Sequence, residues 1–352
     1  MDFSLTEDRR MLSDSLTRFL SDKYGVEHRI KVAYDAPFHD TALWGDMAEL
    51  GVLYALAPEE AGGFGGTGFD VTTVFEALGK GLCPAPVLGT LMASSLMTSA
   101  GADQTSLLDG SQRYAVALGE LDAPYDLDGI ETTFAGGKLS GRKSVVYGGN
   151  DAEVFLVAAK SGDTIGVYEV KASDAQVTGY GLIDGGGAAE LFLDATPATE
   201  LIADGRAALE HALDLGRLAL CAEAVGLMDA TNEILLDYLR TRKQFGVPIG
   251  KFQALQHRAV DLVTEIEQAR SITILAASRI GEDDQARIVA MAKNLIGRAA
   301  RLMSEETIQM HGGIALTWET AVSHYTKRLV MIDAQLGDED YQLEKVMADY
   351  AA

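Results

Sequence analysis

Cysteine is scarce: the 352 residues hold two, Cys83 and Cys221. Each lies in apolar, helix-patterned sequence, so buried free thiols in a reducing compartment are expected rather than a disulfide. Long uncharged apolar runs are missing. None approaches the roughly 20 residues that a membrane-spanning helix needs. Met1-Asp2-Phe3-Ser4 carries neither a basic n-region nor an apolar h-region, so no secretory signal and a cytoplasmic setting are expected. Basic side chains are in the minority, 29 Lys and Arg against 52 Asp and Glu, for a formal net charge of -23. Such a field repels nucleic acid and anionic membrane and argues against both as partners. An anionic ligand would need local basic residues set against it. No HExxH, CxxC or P-loop pattern occurs, so no metal site is expected.

What is present has the balance of an ordinary globular protein, 47% hydrophobic and 23% charged. The length implies two or three packed units. Thr6 reads as the N-cap of a first helix carrying Met11, Leu12, Leu16, Phe19 and Leu20 at helical spacing. Further helices are expected through Leu43 to Leu53, Val71 to Gly79 and Val87 to Leu96. From Tyr114 the period shortens. Tyr114–Leu118, Glu131–Phe134, Lys138–Val146, Val154–Ala158, Ile165–Val170 and Leu191–Leu193 read as strands. Strands so close together predict a small antiparallel barrel or sandwich. From Ala207 the helical period returns, in long stretches ending near Arg242, Ile280, Met310 and Tyr350. The expected division is a helical domain over 1–112, a middle β domain over 113–203 and a four-helix bundle over 204–352.

Two segments carry more than a bundle needs. The first runs Arg240-Thr241-Arg242-Lys243-Gln244-Phe245-Gly246-Val247-Pro248-Ile249-Gly250-Lys251-Phe252-Gln253. Cations, Gly and then Pro are also what a plain helix C-terminus shows. Capping leaves Phe245, Lys251 and Gln253 unexplained. A guanidinium fork suits a pyrophosphate, and an aromatic ring with an amide suits a nucleotide. The second segment is Ile308-Gln309-Met310-His311-Gly312-Gly313. Paired glycines either end a helix or let backbone N–H groups approach a phosphate closely. Asp214 and Arg217 lie on one helical face, three apart, where an internal ion pair is the plain alternative to a binding role. Gly62-Gly63-Phe64-Gly65-Gly66 follows a helix rather than a strand and lacks the context of a dinucleotide fingerprint. Gly185-Gly186-Gly187 reads as a flexible loop.

The two segments resemble the C-terminal signatures of the acyl-CoA dehydrogenase family. The likeness extends to Asp2-Phe3-Ser4-Leu5-Thr6-Glu7, to Trp44 through Gly66 and to Trp318-Glu319. Lys143-Ser144-Val145-Val146, Leu213-Asp214-Leu215-Gly216-Arg217 and Met331 through Asp338 resemble the small subunit of pimeloyl-CoA dehydrogenase and partner subunits of sterol side-chain breakdown. The resemblance implies an α+β multidomain fold and FAD held between subunits of a tetramer. Arg242, Phe245, Gln253, Gln309, Gly312 and Gly313 would contact FAD, and Asp214 and Arg217 would lie near the acyl-CoA.

It also implies a carboxylate base, in most members a glutamate on a turn that here reads Gln335-Leu336-Gly337-Asp338. A minority place it where this chain has Gly216. Leu336 and Gly216 cannot accept a proton. Asp338 is the remaining candidate, and a surface acid or a helix N-cap describes it equally. The family's Thr-Glu-Pro and Gly-Ser-Asp pattern is replaced by Leu118 through Asp126. The tryptophan expected against the flavin edge is missing from Lys143 through Gly148, where Tyr147 offers an aromatic face. The resulting expectation is α,β-dehydrogenation of an acyl-CoA thioester, with this chain donating half of an FAD site to a larger catalytic partner. A homo-oligomer is the other possible assembly, and an electron-transfer flavoprotein or, in an oxidase, oxygen would take the electrons. The alternative is a non-catalytic structural or regulatory subunit that retains the fold for assembly.

Overall fold

The computed structural model describes residues 5–351. Asp2, Phe3 and Ser4 of the N-terminal resemblance lie outside the described residues. Six helices come first: α1 (Glu7–Lys23), α2 (Val26–Val32), α3 (Thr41–Glu49), α4 (Gly68–Lys80), α5 (Val87–Ala100) and α6 (Thr105–Leu108). Thr6 caps α1, its hydroxyl accepting from Arg9 N at 3.4 Å. Asp40 caps α3 through Ala42 N and Leu43 N at 2.9 and 3.1 Å. Helix α2, unforeseen from periodicity, is only seven residues long. The glycine cluster after α3 is structural: a Cβ on Gly66 would lie 2.7 Å from Pro58 N.

The strands are β1 (Tyr114–Ala117), β2 (Thr133–Ala135), β3 (Lys138–Tyr147), β4 (Val154–Ser161), β5 (Thr164–Lys171), β6 (Gln176–Gly181), β7 (Gly187–Pro197) and β8 (Thr199–Ile202). They form one sheet in the order β6-β7-β3-β2-β4-β5-β8, with β1 also on β4. The expected antiparallel pairing holds except that β1 and β2 both run parallel to β4. Residues 118–132 carry the chain back to its starting end, so β2 repeats the direction of β1. Phe155, Val157, Tyr168 and Leu191 are buried in the core of this sheet. Gly185 and Gly186 make a turn between β6 and β7, closed by Leu182 N donating to Gly186 O at 2.9 Å, rather than a loose loop.

The chain then enters α7 (Arg206–Thr241), a hairpin of β9 (Lys243–Gln244) and β10 (Val247–Pro248), α8 (Gln253–Ser278), α9 (Gln285–His311), α10 (Ala321–Ala334) and α11 (Glu339–Ala351). The last helical stretch, expected to end near Tyr350, is two helices. Leu336 and Gly337 break it with φ of 56° and 103°, values that no right-handed helix accommodates.

The residues gather into two compact units. Among the described residues, one comprises residues 5–26, Val71–Cys83 and residues 217–351; the other comprises Glu27–Asp70 and Pro84–Gly216. In the first, Arg270 of α8 bridges Asp229 of α7, at 2.7 and 2.8 Å, and Glu76 of α4. Arg328 of α10 grips Glu223 of α7 through two bonds of 2.6 and 2.7 Å. Gly226 lets α4 and α7 touch, because a Cβ there would strike the Glu76 carbonyl.

Candidate functional site

Helix α7 ends in a projecting hairpin. Arg242 N still donates to Tyr238 O at 2.8 Å, and Ile249 N returns to Arg242 O at 2.8 Å. Phe245 and Gly246 take left-handed backbone at the tip, φ 49° and 79°. Phe245 is 91% exposed and meets Phe252 edge-on at 6.2 Å between ring centroids. Among the described residues, the side chains of Arg240, Arg242, Lys243 and Lys251 make no hydrogen bond or ion pair. Four cations without counter-ions on so acidic a chain form a local anion-attracting field.

The second segment comes to the same end of this unit. Tyr238 of α7 stacks on His311 of α9 at 4.4 Å, and its hydroxyl donates to the His311 carbonyl at 3.0 Å. His311 Nδ1 meets Thr307 O at 2.9 Å. Burial holds the imidazole below its usual pKa, although the Thr307 carbonyl favours the protonated form. Gln309 just before His311 and Gly312 and Gly313 just after it are exposed. Nothing lies within 4 Å of a Cβ built on either glycine, which leaves backbone that a phosphate can approach. Arg242, Phe245, Gln253, Gln309, Gly312 and Gly313 are all solvent-facing on this one unit.

The turn between α10 and α11 is built differently. Arg217 Nε donates to Leu336 O at 2.9 Å. Gln342 Nε2 reaches Leu336 O at 3.1 Å and Gly337 O at 3.3 Å. Lys293 Nζ donates to Asp333 O at 2.8 Å and Gly337 O at 3.1 Å. Arg217, Lys293 and Gln342 are buried. Three donors from α7, α9 and α11 thus hold the carbonyls of the bent backbone. Burial lowers the Lys293 pKa to about 8, and it pushes the neighbouring Cys221 thiol up to about 12. Arg217 is turned inward to this turn, and Asp214, one turn earlier on α7, is buried too. Asp338 Oδ1 accepts from Tyr341 N at 2.9 Å, so this carboxylate caps α11. Leu336 and Gly216 offer no side-chain proton acceptor.

A feature invisible in sequence lies in the sheet. Lys143 of β3 is fully buried and pairs with Glu120 at 2.7 Å. Glu120 also accepts from Thr132 N, Thr132 Oγ1 and Glu131 N at 3.0, 2.6 and 2.8 Å. Burial lowers the Lys143 pKa to about 8 despite this pairing. For Glu120, burial raises the pKa, but Lys143 and the hydrogen bonds outweigh it, so the carboxyl lies below its ordinary value. A charged residue in β3 gives no hint that it points inward.

Comparison with known proteins fits these features. Residues 6–105 match the acyl-CoA dehydrogenase N-terminal domain and residues 203–350 the acyl-CoA dehydrogenase C-terminal domain. The chain belongs to the acyl-CoA dehydrogenase family. It is 26% identical to the acyl-CoA dehydrogenase IpdE2 of Mycolicibacterium smegmatis, over 98% of this chain and 99% of that one. It also resembles the structure of a Tcur3481-Tcur3483 steroid ACAD G363A variant, with a TM-score of 0.90 at 29% identity over 98% and 99% of the two chains. The ChsE4-ChsE5 complex from Mycobacterium tuberculosis gives a TM-score of 0.92 at 25% identity over 100% and 99%. Among the described residues no helix is long and apolar enough to cross a membrane.

Proposed function

We propose that this chain is the flavin-completing subunit of a cytoplasmic, hetero-oligomeric acyl-CoA dehydrogenase acting on a dicarboxylyl or steroid side-chain CoA thioester. One observation carries the reading: the unpaired cations around the Phe245 hairpin, beside the open backbone of Gly312 and Gly313. This donor set fits FAD. Arg242 would hold the pyrophosphate in a charge-assisted fork. Phe245 would cover a ring face, and Gln253 and Gln309 would offer amides to polar edges. Gly312 and Gly313 would admit phosphate to the backbone. Bound there, FAD supplies the hydride acceptor for α,β-dehydrogenation.

The carboxylate that removes the α proton would come from the partner subunit, because Leu336 and Gly216 cannot act and Asp338 is engaged as a cap. Asp214 and Arg217 would serve the acyl end, Arg217 through the turn whose Leu336 carbonyl it holds. An electron-transfer flavoprotein would take the electrons. The division into 1–112, 113–203 and 204–352 remains our proposal for the functional domains.

The names of two structural relatives, each describing a pair of chains, support a hetero-oligomer. The test is co-expression with a larger homologous dehydrogenase, followed by flavin absorbance of the purified complex. Flavin retained by the wild-type complex and lost with Arg242→Ala is the expected result. A partner that keeps its full flavin and turnover without this chain would leave only the scaffold reading.

A further inference from the structure

A second convergence of donors stands in the β-sheet, apart from the hairpin. The carboxylate of Glu190 on β7 collects four of them. Oε2 accepts from Ser144 Oγ at 2.8 Å and from Arg142 Nε at 2.9 Å, with Arg142 Nη2 also 2.9 Å away. Oε1 accepts from Tyr180 OH at 3.1 Å and Val145 N at 3.3 Å. The donors come from β3 and β6, on either side of β7.

The backbone is shaped to make this set. The β3–β7 register breaks between Lys143 and Val146. Within the break, Val145 takes φ 51°, a conformation that a β-branched residue adopts only under constraint. Its side chain gains no burial from this, being 42% exposed. What the bend gains is an amide N–H aimed at the carboxylate. An ordinary cross-strand ion pair between Arg142 and Glu190 would need no such bend.

A guanidinium, two hydroxyls and a backbone N–H converging on two oxygens are the donors that bind a free carboxylate or a phosphate. The side chain of Glu190 is 17% exposed, so solvent reaches the position. We infer that Arg142, Ser144, Val145 N–H and Tyr180 form an anion site for a phosphate or carboxylate group, kept closed in this chain by Glu190 as a tethered occupant.

The experiment uses the full chain with Glu190→Ala, and inorganic phosphate and acetate as probes, read by calorimetric titration and by thermal shift. Wild type is expected to show no specific binding. Glu190→Ala should gain binding at least tenfold tighter than wild type, and Glu190→Ala/Arg142→Ala should lose it. Coenzyme A and FAD, run alongside, separate sources: a gain shared with them marks a nucleotide phosphate, and a gain with the small probes alone marks a free anion. Either gain supports the site. A folded Glu190→Ala that binds no better than wild type overturns it, as does a gain that survives loss of Arg142. If Glu190→Ala does not fold, the readout is refolding with acetate or phosphate, and failure of both to rescue it overturns the inference equally.

Discussion

Tyr238 and His311, 73 residues apart, stack at 4.4 Å while the tyrosine hydroxyl holds the histidine's own carbonyl. This pair joins the end of α7 to the end of α9, and so brings the Arg242 hairpin and the Gly312-Gly313 backbone to one place. Tyr238→Phe should lower stability by about 1 kcal/mol, the net worth of one hydrogen bond. It should also speed amide exchange at 308–313, measured by mass spectrometry. Burial holds His311 below its ordinary value of 6.5. The unfolded chain therefore takes up a proton first as pH falls through that value. Stability should drop on acidification below about pH 6.5 and level off once the lowered folded pKa is passed. His311→Gln should remove that component from the pH dependence of the melting temperature.

Arg242→Ala and Phe245→Ala remove exposed side chains with few or no partners. Each should leave the unfolding free energy of the isolated chain unchanged within about 0.5 kcal/mol. In the assembled enzyme, Arg242→Ala should weaken flavin retention by roughly 1.5–3 kcal/mol, the range for a charged hydrogen bond. That is about ten- to a hundredfold, read by equilibrium dialysis of FAD.

Lys143→Met strands a buried carboxylate. The loss should reach about 3–5 kcal/mol in urea unfolding, because Glu120 stays charged without its partner. Adding Glu120→Gln should recover a large part of it. A double variant no better than the single one would mean that Lys143 stabilises through its aliphatic packing.

Lys293 offers a pH test of the same sense as His311, in an alkaline window. Its folded pKa is about 8 against an ordinary 10.5. Between those values the unfolded chain keeps a proton that the folded chain has released, so this group makes stability rise with pH. The contribution across the window is on the order of 3 kcal/mol. Lys293→Met should flatten this part of the slope of unfolding free energy between pH 8 and 10.5.

Asp338→Asn separates a cap from a base. An asparagine caps nearly as well as an aspartate, so stability should change by less than about 0.5 kcal/mol and turnover of the assembled enzyme should persist. A collapse of turnover at constant stability would return Asp338 to the chemistry.

Much of the architecture was legible because apolar spacing reports burial directly. Thr6, the helices around Trp44 and Val87, and the strands from Tyr114 to Val170 appear where the pattern put them. The end of α7 near Arg242 was legible because cations followed by Gly246 and Pro248 stop a helix; the hairpin that follows was not, since two residues per strand carry no alternation to read. Strand β6 escaped because none of its residues is buried and it carries Gly179 and Gly181. The break at Leu336 escaped because leucine favours helix, and the donors that bend the chain there, Arg217, Lys293 and Gln342, are near it only in space. Lys143 and Lys293 were unreadable for a related cause. Charged residues read as surface, and only the folded chain reveals the carboxylate or carbonyls that receive them.

The clasp around residues 335–338 has a bearing on enzyme engineering. A glutamate grafted at position 336 would land on backbone already tethered by a guanidinium and an ammonium. Those neighbouring cations would stabilise its ionised form and make it a feeble proton acceptor. Neutralising position 217 or 293 along with the graft would therefore favour acid–base chemistry at this turn.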